Sequence, residues 1–130
     1  MSSTYQLEIY KKPLKAIKSG LKRVEIRTNN SYEKINYDEL VPGDLISFQI
    51  IAGPPFNGLE VVEANALMVE VISVLKYKDP RELLEQEGLE VLSTLVTNID
   101  EGIKLLYSFH EYEKMIPLHG IYAIHIRPLT

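Results

Sequence analysis

The stretch SGLKRVEIRTNN, residues 19–30, reads as the end of a helix, a glycine stop and a short strand. Within six residues it carries Lys22, Arg23, Glu25 and Arg27. In the strand reading Val24 and Ile26 point to one face and Glu25 and Arg27 to the other, because successive side chains alternate. A strand this short and this charged needs a reason beyond burial.

The flanking sequence gives the stretch a context. YQLEIY, 5–10, alternates as a strand does, and PLKAIKSG, 13–20, has Pro13 for a first helical turn, Leu14 and Ile17 three apart, and Gly20 as a stop. Downstream, VPGD at 41–44 is a turn in which Pro42 presets φ and Gly43 accepts a positive one. LISFQII follows as a strand. AGPPFNGLE, 52–60, has two prolines that a central strand would not tolerate, so it reads as an exposed loop. NALMVEVISVLKY, 65–77, is β-branched and alternating, and DPRELLEQEG, 79–88, has an Asp cap, Pro at the first helical position and a closing glycine. From 89 to 114 apolar residues recur at helical spacing, with a break near TNID where Asn98 and Asp100 end one helix and cap the next. GIYAIHIRPL, 120–129, is a last strand. The order β, α, β, β, β, helices, β predicts an α+β fold with a mixed, mostly antiparallel sheet or small barrel and helices around it. Val24, Ile26, Ile46, Phe48, Val71, Tyr122 and Ile124 are expected to be buried together.

The 130 residues, 45% hydrophobic, suit one core, so residues 1–130 are expected to form a single domain. There is no cysteine, which rules out disulfides and thiolate metal sites and fits a reducing cytosol. The first thirty residues lack the apolar run of a signal peptide and no window approaches the length of a membrane span, so a cytoplasmic protein is expected. The net charge of −4 argues against strong indiscriminate binding to nucleic acid. Its distribution is uneven. Residues 1–34 hold eight basic and three acidic residues, a net of +5, while the other 96 hold six basic and fifteen acidic, a net of −9. A basic end of this kind either draws an anionic ligand to one face or is a solvated lysine surface.

Gly20, Lys22, Glu25 and Arg27 fit the pattern G-x-K-x-x-E-x-R, which resembles the signature of the ASCH family within the PUA-like β-barrels. The preceding SG, the PGD turn, the long strand and helix VEVISVLKYKDPRELLEQEG and the closing HGIYAIHIRPL extend the resemblance over nearly the whole chain. It implies a PUA-like barrel with a cleft floored by the motif strand, and a ligand that is RNA or a modified nucleoside. Small bacterial members include an amidohydrolase of N4-acetylcytidine and a reported ribonuclease. In the amidohydrolase branch the motif lysine is catalytic, which corresponds to Lys22. That branch has a threonine where this chain has Glu25, and a catalytic glutamate in a helix after the long strand, for which Glu87 is the best match and Glu85 the second. Lys22, Glu25 and Glu87 are therefore the candidates for catalysis, and Arg27, Arg23 and Lys18 the candidates for ligand binding, with no metal and no cofactor expected.

The same residues have a physical reading of their own. A neutral Lys22 is a base or nucleophile, and a charged one holds a phosphate or an oxyanion. Arg27 offers a planar fork for phosphate or a carbonyl edge. A carboxylate such as Glu87 can act as general acid or base. Against this stands a plain alternative, in which Lys22, Glu25 and Arg27 form one partly buried ion-pair network that orders the strand. His110, His119 and His125 lack the i, i+4 spacing of a zinc pair. Of the eight tyrosines, one or two are candidates for stacking on a base and the rest for core or rim. The two functional classes left open are a binder or small hydrolase of RNA-derived ligands, and a non-catalytic module that contacts RNA or protein through its basic end.

Overall fold

Local chemistry accounts for most of the elements in the computed structural model, which describes residues 2–31, 33–53, 58–92 and 96–129. Strand β1 (Thr4–Ile9) leads into helix α1 (Lys11–Lys18), which ends at Ser19 and Gly20. Gly20 takes φ +85°, a left-handed value that stops the helix without a Cβ penalty. Strand β2 (Val24–Arg27) follows, then a short 3-10 turn (Tyr37–Glu39) and β3 (Leu45–Ile51). The turn before β3 is fastened by Asp44, whose carboxylate accepts the backbone N–H of Val41 at 3.0 Å and of Ser3 at 2.9 Å.

Strand β4 (Val61–Tyr77) is four residues longer at its start than its alternation predicts. The extra residues pair across an irregularity, with Val61 opposite Ile51 and Glu63 opposite Ile50. Asn65, at φ +51°, serves that irregularity: its N–H donates to the Gln49 side chain at 2.7 Å and its Oδ1 accepts the Ser47 hydroxyl at 2.9 Å. The buried polar groups Ser47 and Gln49 thus keep hydrogen bonds. Helix α2 (Pro80–Glu87) is capped by Asp79 and α3 (Ile99–Tyr107) by Asn98, each side chain accepting the N–H three residues on at 2.9 Å. The helical spacing expected over 89–114 gives only a 3-10 turn (Leu89–Val91) before the break near Asn98, and after it a second break separates α3 from helix α4 (Tyr112–His119), which runs five residues past 114 with Pro117 inside it; β5 (Ile121–Pro128) closes the chain. Of the loop expected at 52–60, residues 54–57 lie outside the described residues, as does Tyr32.

The five strands form one sheet in the order β1-β3-β4-β5-β2. β1 runs parallel to β3, from Thr4 opposite Leu45 to Ile9 opposite Ile50, and β3 is antiparallel to β4. The class is the expected one, α+β with a mixed, mostly antiparallel sheet.

The chain divides into two compact units, one of Met1–Arg23, Val41–Ser73 and His125–Thr130, the other of Val24–Leu40 and Val74–Ile124. In the first, Leu7 and Ile9 of β1, Leu14 and Ile17 of α1, Ile46 and Phe48 of β3 and Val69 and Val71 of β4 are buried. In the second, Val24 and Ile26 of β2 join Leu83 and Leu84 of α2, Leu106 of α3, Tyr112 and Ile116 of α4 and Ile121 and Ala123 of β5 in one apolar cluster. Each of the seven residues expected to be buried together is buried, but not in one shared unit: Ile46, Phe48 and Val71 belong to the first and Val24, Ile26, Tyr122 and Ile124 to the second, so the expectation of a common core is not borne out. The charged residues of β2 therefore stand on a strand whose other face is committed to a core.

Candidate functional site

Strand β2 has only four residues, and its alternation sends Val24 and Ile26 into the apolar cluster. Glu25 and Arg27 share the opposite face and are paired there. The Arg27 guanidinium donates from Nη2 to Glu25 Oε2 at 2.7 Å and from Nε to the same oxygen at 3.0 Å. Its Nη1 donates to Glu33 Oε2 at 3.0 Å. All three are largely withdrawn from solvent: the side chains of Arg27, Glu25 and Glu33 are 12%, 8% and 3% exposed.

The loop after β2 is shaped around Glu33. Its Oε1 accepts the Tyr37 hydroxyl at 2.9 Å and the Asn30 amide at 2.8 Å, and its backbone N–H donates to Asn30 Oδ1 at 2.8 Å. Asn29 Oδ1 accepts the Tyr37 N–H at 2.8 Å. Thr28, buried at the end of β2, donates its hydroxyl to the Gly120 carbonyl at 2.7 Å, and Tyr112 donates to the Ile26 carbonyl at 3.2 Å. Burial on its own would lower the pKa of Arg27, but the Glu25 carboxylate, with Glu33 behind it, holds the guanidinium well above its ordinary value. Burial pushes the Tyr37 phenol well up, partly opposed by Arg27 and reinforced by Glu33. Tyr37 and Glu33 therefore meet as a phenol donor and a carboxylate acceptor.

The other sequence-predicted residues fall as follows. Lys18, at the end of α1, and Arg23 are exposed and Lys22 is half-buried, all three in the first unit. The backbone N–H of Lys22 donates to the Ala16 carbonyl at 3.0 Å, which ties it to the end of α1. Glu87 belongs to the second unit with Glu25 and Arg27 and is half-buried, whereas Glu85 is exposed. The Glu87 carboxylate accepts the Tyr77 hydroxyl at 2.5 Å. Burial, then this hydrogen bond and the charge of Glu87, push the Tyr77 phenol up to about 12. Sequence reasoning picked out Glu25 and Arg27 but missed Glu33, Asn30 and Tyr37. The spacing of Asn30 and Glu33, an Asn three residues before a Glu, was the available signal, since it is the spacing of a side chain that caps a backbone N–H.

Tyr37, Tyr112 and Tyr122 are core residues. Among the described residues no group of three or more His, Asp or Glu side chains is placed to hold a metal ion, and no helix is long and apolar enough to cross a membrane.

The family model of the ASCH domain matches residues 7–130. The chain belongs to the ASCH domain family. ASCH domains are linked to RNA binding. Among solved structures, this ASCH chain resembles the hypothetical protein PH0355, at 27% identity and a TM-score of 0.74 over 97% of this chain and 99% of that one. It also resembles protein PF0455 from Pyrococcus furiosus, solved by solution NMR, at 32% identity and a TM-score of 0.67 over 97% of each chain. A mutant of ZmASCH from Zymomonas mobilis shares the fold at 15% identity, with a TM-score of 0.53 over 96% of this chain and 73% of that one. No curated protein matches the chain.

Proposed function

We propose that this ASCH protein binds an RNA-derived ligand, single-stranded RNA or a modified nucleoside, through the motif segment 20–27. The observation that carries the reading is the buried pairing of Glu25 and Arg27 on the motif strand. A buried ion pair contributes little net stability, because desolvation of both charges offsets their attraction. Two such charges on a four-residue strand, with a loop knitted around them, are better accounted for by fixing the backbone and acceptors of that strand for a ligand. Glu25 and Arg27 hold the strand in place, and Lys22 and Arg23 offer cations to phosphate.

Hydrolysis is the second reading. In it Lys22 is base or nucleophile, Glu25 stands where the amidohydrolase branch has threonine, and Glu87 is the general acid or base. The hydrogen bond from Tyr77 favours it, since it fixes one oxygen of the Glu87 carboxylate. The committed pairing of Glu25 with Arg27 favours binding without turnover.

Lys22→Ala separates these readings from a structural role. Removing a charged hydrogen-bonding group at a ligand weakens binding about 10- to 100-fold. The expected result is that loss for single-stranded RNA or N4-acetylcytidine in a titration, with a thermal melt close to wild type. Turnover of either ligand by the wild type, absent in Lys22→Ala, selects the hydrolase. Unchanged binding together with a lowered melting temperature assigns Lys22 to the structural network and overturns the proposal.

A further inference from the structure

The short helix α1 is arranged against its own stability. Its eight residues include Lys11, Lys12, Lys15 and Lys18 and no acidic residue. Lys15 and Lys18 lie in the last turn, where a cation complements the helix dipole. Lys11 and Lys12 lie in the first turn, where a cation opposes it, no acidic residue offsets them, and Tyr10 supplies no side-chain cap. All four are exposed, and none of their side chains forms an ion pair among the described residues. At about 100° per residue, Lys11, Lys15 and Lys18 fall within roughly 60° of one another, with Lys12 on the flank. A local rule broken on a solvated surface, with no partner to compensate it, marks a place where function has set the sequence.

We infer that the lysine face of α1 tracks the phosphate backbone of single-stranded RNA, with Lys11 and Lys12 as contacts that serve no structural purpose. The inference rests on the RNA reading above and adds a surface to it. Charge complementarity selects a polyanion. An anionic membrane fits less well, because the apolar residues that would insert, Leu14 and Ile17, are 4% and 0% exposed. The lysines read no sequence, so they supply affinity and salt dependence while the motif segment supplies choice of ligand.

The test is anisotropy of a labelled single-stranded RNA across a salt series, with wild type and the double variant Lys11→Glu, Lys12→Glu. Each phosphate contact on a single strand contributes about −0.7 to the slope of log K against log salt. The double variant is expected to have a slope shallower by about 1.4 and an affinity about 25-fold lower at 0.1 M salt. Its melting temperature should be equal or higher, since glutamates suit the first turn. Wild-type affinity and slope in the variant overturn the inference, as does a loss of binding accompanied by a lower melting temperature. Capture by phosphatidylserine vesicles with no RNA binding overturns it in favour of a membrane surface. A variant that binds like wild type while Lys22→Ala does not defeats the helix proposal alone, and an absence of RNA binding by wild type with nucleoside binding intact does the same.

Discussion

Arg27→Ala should lower the free energy of unfolding by about 3–5 kcal/mol, the range seen when one partner of a buried ion pair is removed. The loss is not the worth of the contacts themselves. It comes from leaving Glu25 and Glu33, 8% and 3% exposed, without the guanidinium that neutralises them. The same logic predicts a non-additive series. Replacing all three together, Glu25→Gln, Arg27→Met and Glu33→Gln, should cost clearly less than Arg27→Ala, because no uncompensated charge stays buried. Denaturant midpoints on the two variants check this. An Arg27→Ala protein within about 1 kcal/mol of wild type would show that the pair is solvated, as exposed pairs are.

The second large effect lies at Gly120, between α4 and β5. Its φ of +76° is left-handed, and a Cβ built there meets the Tyr77 carbonyl oxygen at 2.7 Å. Its own carbonyl accepts the hydroxyl of Thr28 at the end of the motif strand. Gly120→Ala therefore combines a backbone cost of about 1–2 kcal/mol with an overpacking cost of about 1–3 kcal/mol that a backbone oxygen cannot evade by rotating. A combined destabilisation of about 2–5 kcal/mol in denaturant unfolding is expected. Gly20→Ala serves as the comparison, because its φ is also positive but a Cβ there meets nothing within 4 Å, so only the backbone cost applies. Equal losses at the two positions would show that the contact with Tyr77 is relieved by a small shift.

Much of this architecture was legible because it is written in local chemistry. Asp79 and Asn98 announce helix starts by side chains that cap the next turn, Gly20 announces a stop by a backbone angle, and Val24 and Ile26 announce a buried strand face by alternation. The motif placed Glu25 and Arg27 on one face of one strand for the same reason. Glu33 was not legible. Its place beside Arg27 depends on a loop that folds back through Asn29, Asn30 and Tyr37, and no periodicity encodes which carboxylate a guanidinium six residues away will meet. The early start of β4 was hidden likewise, because residues 61–64 pair through an irregularity near Asn65 that breaks the period of two.

Binding of an RNA-derived ligand at the motif segment can be read residue by residue in an amide chemical-shift titration. Uniformly 15N-labelled protein is titrated with a short single-stranded RNA and, separately, with N4-acetylcytidine. Saturable shifts concentrated in residues 18–27 are expected for at least one of the two, lost in Lys22→Ala while the rest of the spectrum is retained. Saturable shifts confined to residues 80–118, or no shift with either ligand, would contradict it.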